Sequence, residues 1–300
     1  VQTQANEKTA HGGVEVEAQI GMAFPEASVP GGLVGIFESN ASMHASATAL
    51  TDVETETTVT YRELAKACQA LETSLRQAGL GNGDVVCLLF EPSCCFVVAT
   101  MGVMRAGACW LPLDLKSPRE RLQRLLAHVG TRLVLAAYGW PDSVVAPLPV
   151  WALEPHGLLC GAPVVRPLPL SPEGARAPNT AAIFYTSGST GEPKGVMYGP
   201  ETLCHGALAF GRLCSTDSTS TFLVKTPTIW AVTEYEVFSP LAVGAHAVVD
   251  ARAQHDPMRL AQTVREHGVS ILVTSAPVLQ LLLDEQLPSL RHAVNVGAAL

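Results

Sequence analysis

One stretch of this 300-residue chain concentrates groups that can do chemistry: YTSGSTGEPKG, residues 185–195. Hydroxyls fall at Thr186, Ser187, Ser189 and Thr190, glycines at Gly188 and Gly191, and Lys194 and Gly195 close the run. Glycines let backbone N–H groups approach an anion, hydroxyls donate further hydrogen bonds, and a lysine adds a point charge. Placed directly after the apolar run AAIFYT (181–186), this is the chemistry of a phosphate cradle. A plain Ser/Gly surface turn has no need of the ordered Pro193, Lys194 and Gly195. Two other loops are excluded. The Walker loop needs Ser or Thr after its lysine to hold magnesium, and here Gly195 follows Lys194. A nucleophile elbow needs G-x-S-x-G, which Gly188-Ser189-Thr190-Gly191 does not supply.

The elements that must position this loop read as an alternation of strands and helices. Thr60 and Glu63 have capping-box spacing, and Leu64, Ala67, Cys68, Leu71, Leu75 and Ala78 follow on one helical face. VVCLLF (85–90) is a continuous apolar run, as in a strand buried on both faces of a parallel sheet. Residues 94–106 read as helix, 109–114 as extended, 118–129 as helix and 132–137 as extended. After the Gly-rich loop come a helix around 201–212 and strands at 221–225, 245–250, 270–274 and 292–296. The fold class is therefore α/β, with doubly wound, mostly parallel sheets and flanking helices.

Organisation follows from the breaks. Residues 1–31 read as a disordered tail, 32–140 as a first α/β subdomain, and 141–179, with nine prolines, as a linker or a meandering edge. Residues 180–300 form a second α/β subdomain carrying the phosphate loop. The chain stops in apolar sequence just after a strand, which reads as a truncation.

Composition narrows the class. The chain is 48% hydrophobic and only 15% charged, which excludes a disordered protein and implies large buried or covered surfaces. A net charge of −8 with 19 Lys and Arg argues against nucleic acid. The most apolar window, 85–104, carries Glu91 and Pro92, so no membrane span is expected. The eight cysteines form no C-x-x-C pair and several sit in apolar runs, which favours a reducing, cytoplasmic setting. The nine histidines show no H-x-x-x-H spacing, so no structural metal site is expected. Asp250, Asp256 and Glu266, near His255 and His267, read as solvated polar groups, and Trp110, Trp151, Trp230 and Phe238 as core.

YTSGSTGEPKG closely resembles the phosphate-binding signature of the AMP-forming acyl-adenylate enzymes. VTYREL (59–64) and MRAGACWLPLDLKSPRERL (104–122) agree in order and spacing, and resemble nonribosomal peptide synthetase adenylation domains more than acyl-CoA synthetases. The resemblance runs from about residue 33 to the last and implies the amino-terminal part of such a domain. It implies that carboxylate and ATP give acyl-AMP and pyrophosphate, with the acyl group passing to a carrier-protein phosphopantetheine or to CoA. Thr186, Ser187, Gly188, Ser189, Thr190, Gly191 and Lys194 would then bind the ATP phosphates.

The resemblance also implies a substrate pocket. TPTIWAVTEYEVFSPL (226–241) matches the family segment that contains Phe-Asp followed two residues later by Ser. Trp230 stands for the Phe, Thr233 for the Ser and Ala231 for the aspartate, which in amino-acid-activating members pairs with the substrate's α-ammonium. A desolvated ammonium without a countercharge costs several kcal/mol. Ala231 thus points to an acid that is not an ordinary α-amino acid: a keto, hydroxy, aryl or simple aliphatic acid. Val232, Tyr235, Thr274, Val294 and Val296 would complete a mostly apolar pocket, while Glu234, if 233–243 is helical, should point elsewhere.

The chain also departs from the family pattern. Gly199-Pro200 stand where members usually carry a His, and Val296-Gly297-Ala298-Ala299-Leu300 lacks the glutamate of the Gly-Gly-Glu-Ala-Leu element. The Tyr-Gly-Pro-Thr-Glu segment with its magnesium ligand, the ribose-binding aspartate and the carboxy-terminal lysine have no counterpart in these 300 residues. Lys194 belongs to the phosphate loop and does not replace that lysine, so no catalytic residue is assigned and Mg2+ is expected to be held elsewhere. Two readings stay open: an enzyme segment, and a non-catalytic remnant that binds nucleotide or a partner.

Overall fold

In the computed structural model, residues 31–140, 145–155, 177–186 and 193–296 are described. The chain opens with α1 (Gly32–Met43), the hairpin strands β1 (Thr48–Asp52) and β2 (Thr57–Thr60), and α2 (Tyr61–Gln77). There follow β3 (Val85–Leu89), α3 (Cys94–Ala106), β4 (Cys109–Pro112), α4 (Arg119–His128), β5 (Leu133–Ala137) and β6 (Val150–Leu153). Then come β7 (Ala182–Thr186), β8 (Lys194–Tyr198), α5 (Pro200–Leu213) and β9 (Thr221–Val224). The last elements are α6 (Thr233–Val243), β10 (His246–Val249), α7 (Pro257–Glu266), β11 (Ile271–Thr274), α8 (Ala276–Leu282) and β12 (His292–Asn295).

Local chemistry explains the helices. At α2 the capping box is complete: the Glu63 amide donates to Thr60 Oγ1 at 3.3 Å and the Thr60 amide to Glu63 Oε2 at 2.9 Å. The α3 helix starts where Ser93 accepts from the Phe96 amide at 3.2 Å and stops at Gly107, whose φ of 79° suits a residue without Cβ. Between those stops its residues are apolar apart from Thr100 and Arg105, and a helix so largely apolar must be buried.

Among the described residues, twelve strands form two six-stranded sheets, in the orders β12-β11-β9-β10-β1-β2 and β6-β5-β3-β4-β7-β8. Every pairing is parallel except the edge pairs β1–β2 and β7–β8. One core lies between the sheets, built from α1, α2, α3, α5 and α6 with Leu88, Trp110 and Phe184 on one side and Leu50, Val224 and Ala247 on the other. Trp110 sits at its centre, edge-on to Phe96, Phe184 and Phe238 at centroid distances of 5.9, 5.2 and 6.2 Å. α4 covers the outer face of the second sheet, and α7 and α8 that of the first. The α/β, mostly parallel, doubly wound class read from the sequence is the architecture observed.

Strands β1 and β2 join the sheet of β9–β12, and β7 and β8 join that of β3–β6, so each sheet draws strands from both 32–140 and 180–300. Within the proline-rich 141–179, β6 pairs in register with β5, while 141–144 and 156–176 lie outside the described residues. The expected tail lies outside the described residues apart from Gly31, which precedes α1. Asp250 is fully buried, not solvated: Arg259 Nε donates to both its oxygens at 2.8 and 2.9 Å, and the Thr263 hydroxyl donates at 2.7 Å. Trp230 is 61% exposed and does not belong to the core.

Candidate functional site

The phosphate-loop sequence turns out to span a hairpin. β7 and β8 pair antiparallel in register from Ala182↔Tyr198 to Thr186↔Lys194. The sequence reading ran from strand through loop to helix and missed β8. At the loop end the Thr186 hydroxyl donates to the Lys194 carbonyl at 3.4 Å, and both residues are exposed. Ser187, Gly188, Ser189, Thr190 and Gly191 lie outside the described residues. Lys194 takes part in no ion pair among the described residues.

A second site lies in the other sheet. In open α/β sheets, ligands bind beyond the carboxyl ends of the strands where strand order reverses. From β9 the chain moves to β10 by way of α6 on the inner face, then crosses back to β11 by way of α7 on the outer face. The reversal therefore falls between β9 and β11. A cleft of about 200 Å³ opens there, lined by Lys225 and Thr226 after β9, Thr274 and Ser275 at the end of β11, and Val296 after β12. Trp230, Val232, Gln254, Leu260 and Val278 complete most of its wall.

The loop from β9 to α6 forms one side of the cleft and is pinned at several points. Fully buried Glu236 accepts the Lys225 and Thr226 amides at 3.0 and 2.9 Å and the Thr226 hydroxyl at 2.7 Å. The Thr228 hydroxyl donates to the Phe90 carbonyl at 2.8 Å, tying the loop to the exit of β3 in the other sheet. A turn from the Trp230 amide to the Pro227 carbonyl, at 3.0 Å, leads into α6. Trp230 also rims a neighbouring cleft of about 150 Å³ that includes Glu91, Asp114, Lys116 and His255.

Of the pocket residues inferred from the sequence, Trp230, Val232, Thr274 and Val296 line the cleft. Tyr235 and Val294 pack in the adjoining apolar cluster, where Tyr235 stacks on Phe210 at 5.2 Å and 13°. Ala231 is half-buried against the central core. Thr233 is buried with its hydroxyl unpartnered among the described residues. Glu234, one turn beyond Ala231, points away from the cleft lining toward Gly206 of α5; a Cβ there would lie 3.6 Å from its Oε1. It is 5% exposed, and its Oε2 has no hydrogen-bond partner among the described residues. Burial pushes its carboxyl up to about 7, against a hydrogen bond from Tyr235.

Lys225 and Gln254 were missed by the sequence reading. The available signal was a lysine standing directly behind the apolar strand TFLV. Lys225 is 3% exposed; its Nζ donates to Gln254 Oε1 at 3.1 Å and lies 3.9 Å from Glu236 Oε1. Burial lowers the Lys225 ammonium and raises the Glu236 carboxyl, and their mutual attraction opposes both shifts. Among the described residues no group of three or more His, Cys, Asp or Glu could hold a metal, and no helix is long and apolar enough to cross a membrane.

Comparison with known proteins agrees with this geometry. A family model described as AMP-binding enzyme matches residues 37–300. Indigoidine synthase of Streptomyces lavendulae is 33% identical over 252 residues, which cover 81% of this chain and 19% of that protein. The nonribosomal peptide synthetase FmoA3 in its AMPPNP-bound form superposes with a TM-score of 0.77 at 28% identity, over 92% of this chain and 29% of that one. The N-terminal subdomain of Klebsiella oxytoca NpsA, in complex with 3-hydroxybenzoyl-AMSN, shares the fold with a TM-score of 0.66 at 24% identity. It matches 84% of this chain and 61% of that one. The chain thus spans less than a third of indigoidine synthase and FmoA3. With the family match running through both sheets, this chain belongs to the AMP-binding enzymes, the adenylate-forming superfamily, and resembles the amino-terminal part of a nonribosomal peptide synthetase adenylation domain.

Proposed function

We propose that this chain takes part in ATP-dependent activation of a carboxylic acid as acyl-AMP, with release of pyrophosphate and later transfer to a carrier-protein phosphopantetheine or CoA thiol. The observation that carries this reading is the β7–β8 hairpin, with Thr186 and Lys194 facing each other across the Ser/Gly run. ATP, when bound, supplies the α-phosphate to which a carboxylate oxygen bonds as pyrophosphate leaves. The chain's own contribution is positioning and electrostatics: hydroxyls and amides of 186–191 and the Lys194 ammonium hold phosphate oxygens where negative charge develops. The AMPPNP held by FmoA3 supports nucleotide binding in this fold.

The cleft at the ends of β9 and β11 takes the acid. By the family resemblance Ala231 stands where amino-acid-activating members carry the aspartate that pairs with an α-ammonium; it packs against the central core outside the cleft lining, and the Glu234 carboxyl points away from the cleft. The acid is therefore uncharged at its α-position: a keto, hydroxy, aryl or aliphatic acid. Pyrophosphate exchange with a panel of acids, measured on this chain and on longer polypeptides containing it, tests the reading. Exchange with keto, hydroxy or aryl acids is expected. Exchange confined to α-amino acids would refute the inference from Ala231.

A further inference from the structure

The cleft is not uniformly apolar. Lys225 and Gln254 line it beside Val232, Leu260 and Val296, and they are joined to each other through the 3.1 Å bond from Lys225 Nζ to Gln254 Oε1. An ammonium has three N–H donors. One goes to Gln254, one faces Glu236 Oε1 at 3.9 Å, and the third has no partner among the described residues. The Gln254 carboxamide, already accepting at Oε1, donates its NH2 to no group among them. Two donors are therefore left over in a cleft whose other walls are largely hydrocarbon.

We propose that Lys225 and Gln254 are specificity-determining residues that hydrogen-bond an uncharged acceptor oxygen, of the ketone, ester or carboxamide type, carried by the bound acid in addition to its reacting carboxylate. The proposal rests on the acid-activation reading above. Charge accounting selects the acceptor. Lys225 and Glu236 together carry zero net charge whether the proton sits on one or the other, and Glu236 is fully buried. A second carboxylate would add an uncompensated negative charge beside Glu236, and a cation would face the lysine. A purely hydrocarbon acid would leave both donors unpaired, a loss of roughly tenfold or more in affinity. The cleft, about 200 Å³, has room for a short acid.

Ligand-observed NMR titration of the 300-residue chain with 4-oxopentanoate, pentanoate and glutarate tests this. The first two acids differ only by a carbonyl in place of a methylene. Binding of 4-oxopentanoate about tenfold tighter than pentanoate is expected, with glutarate no tighter than pentanoate. In Lys225→Met and Gln254→Leu the ratio should fall toward one. Lys225→Met strips the buried Glu236 of its partner and can unfold the chain; Gln254→Leu, at a half-buried position, then carries the test. Equal affinities in the wild type, binding of neither acid, tightest binding of glutarate, or an unchanged ratio in Gln254→Leu would overturn the proposal. Titration of MgATP into the same samples keeps the two readings apart. Intact nucleotide binding without acid discrimination removes the Lys225–Gln254 assignment alone, whereas absent nucleotide binding removes the activation reading.

Discussion

At the residue scale, the site was legible where a motif names its chemistry and illegible where burial creates it. The hydroxyl, glycine and lysine run carries the chemistry of the proposed anion site in its composition. Lys225 does not, because one lysine behind a strand becomes informative only once Glu236 and Gln254 fold against it. Glu234 is the same kind of case: its neighbours push its carboxyl from 4.5 up to about 7. Because that value lies above the unfolded one, the native state holds an extra proton between them. Its stability is full below about 4.5 and declines as pH rises through about 7, by at most about 3 kcal/mol at 1.36 kcal/mol per unit. Glu234→Gln abolishes this dependence. Urea unfolding at pH 5 and pH 8 should show the wild type losing about 2–3 kcal/mol relative to the variant; parallel pH profiles would contradict the assignment.

At the element scale, α2 and α3 approach so closely that only glycine fits at 102. A Cβ there would lie 2.7 to 3.0 Å from the Leu71 side chain, which is itself buried. Gly102→Ala should cost about 1–3 kcal/mol by chemical denaturation. Leu71→Ala in the same chain should make that cost smaller, and strictly additive losses would show that the contact does not govern the packing. Both helices were readable beforehand, α2 from its cap and apolar face and α3 from its apolar run. β8 was not, because KGVMY is an edge strand with four of five residues exposed, so no alternation marks it; its pairing with β7 makes it a strand. β6 was hidden for a related reason, as four residues among prolines at a sheet edge. The exchange of β1–β2 and β7–β8 between sheets was invisible because strand partners are chosen by tertiary contacts, not by sequence order.

At the scale of the whole molecule, that exchange binds the two sheets into one unit. Their shared core and the ties between them, from the Thr228 hydroxyl to the Phe90 carbonyl (2.8 Å) and from the Cys94 amide to Asp52 Oδ2 (3.2 Å), leave neither sheet free to melt alone. Far-UV and near-UV circular dichroism should therefore report one coincident unfolding transition, and two separated transitions would show independent halves. The proposed phosphate hairpin belongs to one sheet and the proposed acid cleft to the other. The central claim is that Lys194 and the loop before it bind the ATP phosphates. Calorimetric titration of MgATP into the wild-type chain and Lys194→Ala tests it most directly. The account predicts saturable binding that weakens about tenfold in the variant, the loss of one charge-assisted contact. Equal affinity in the two proteins would contradict it.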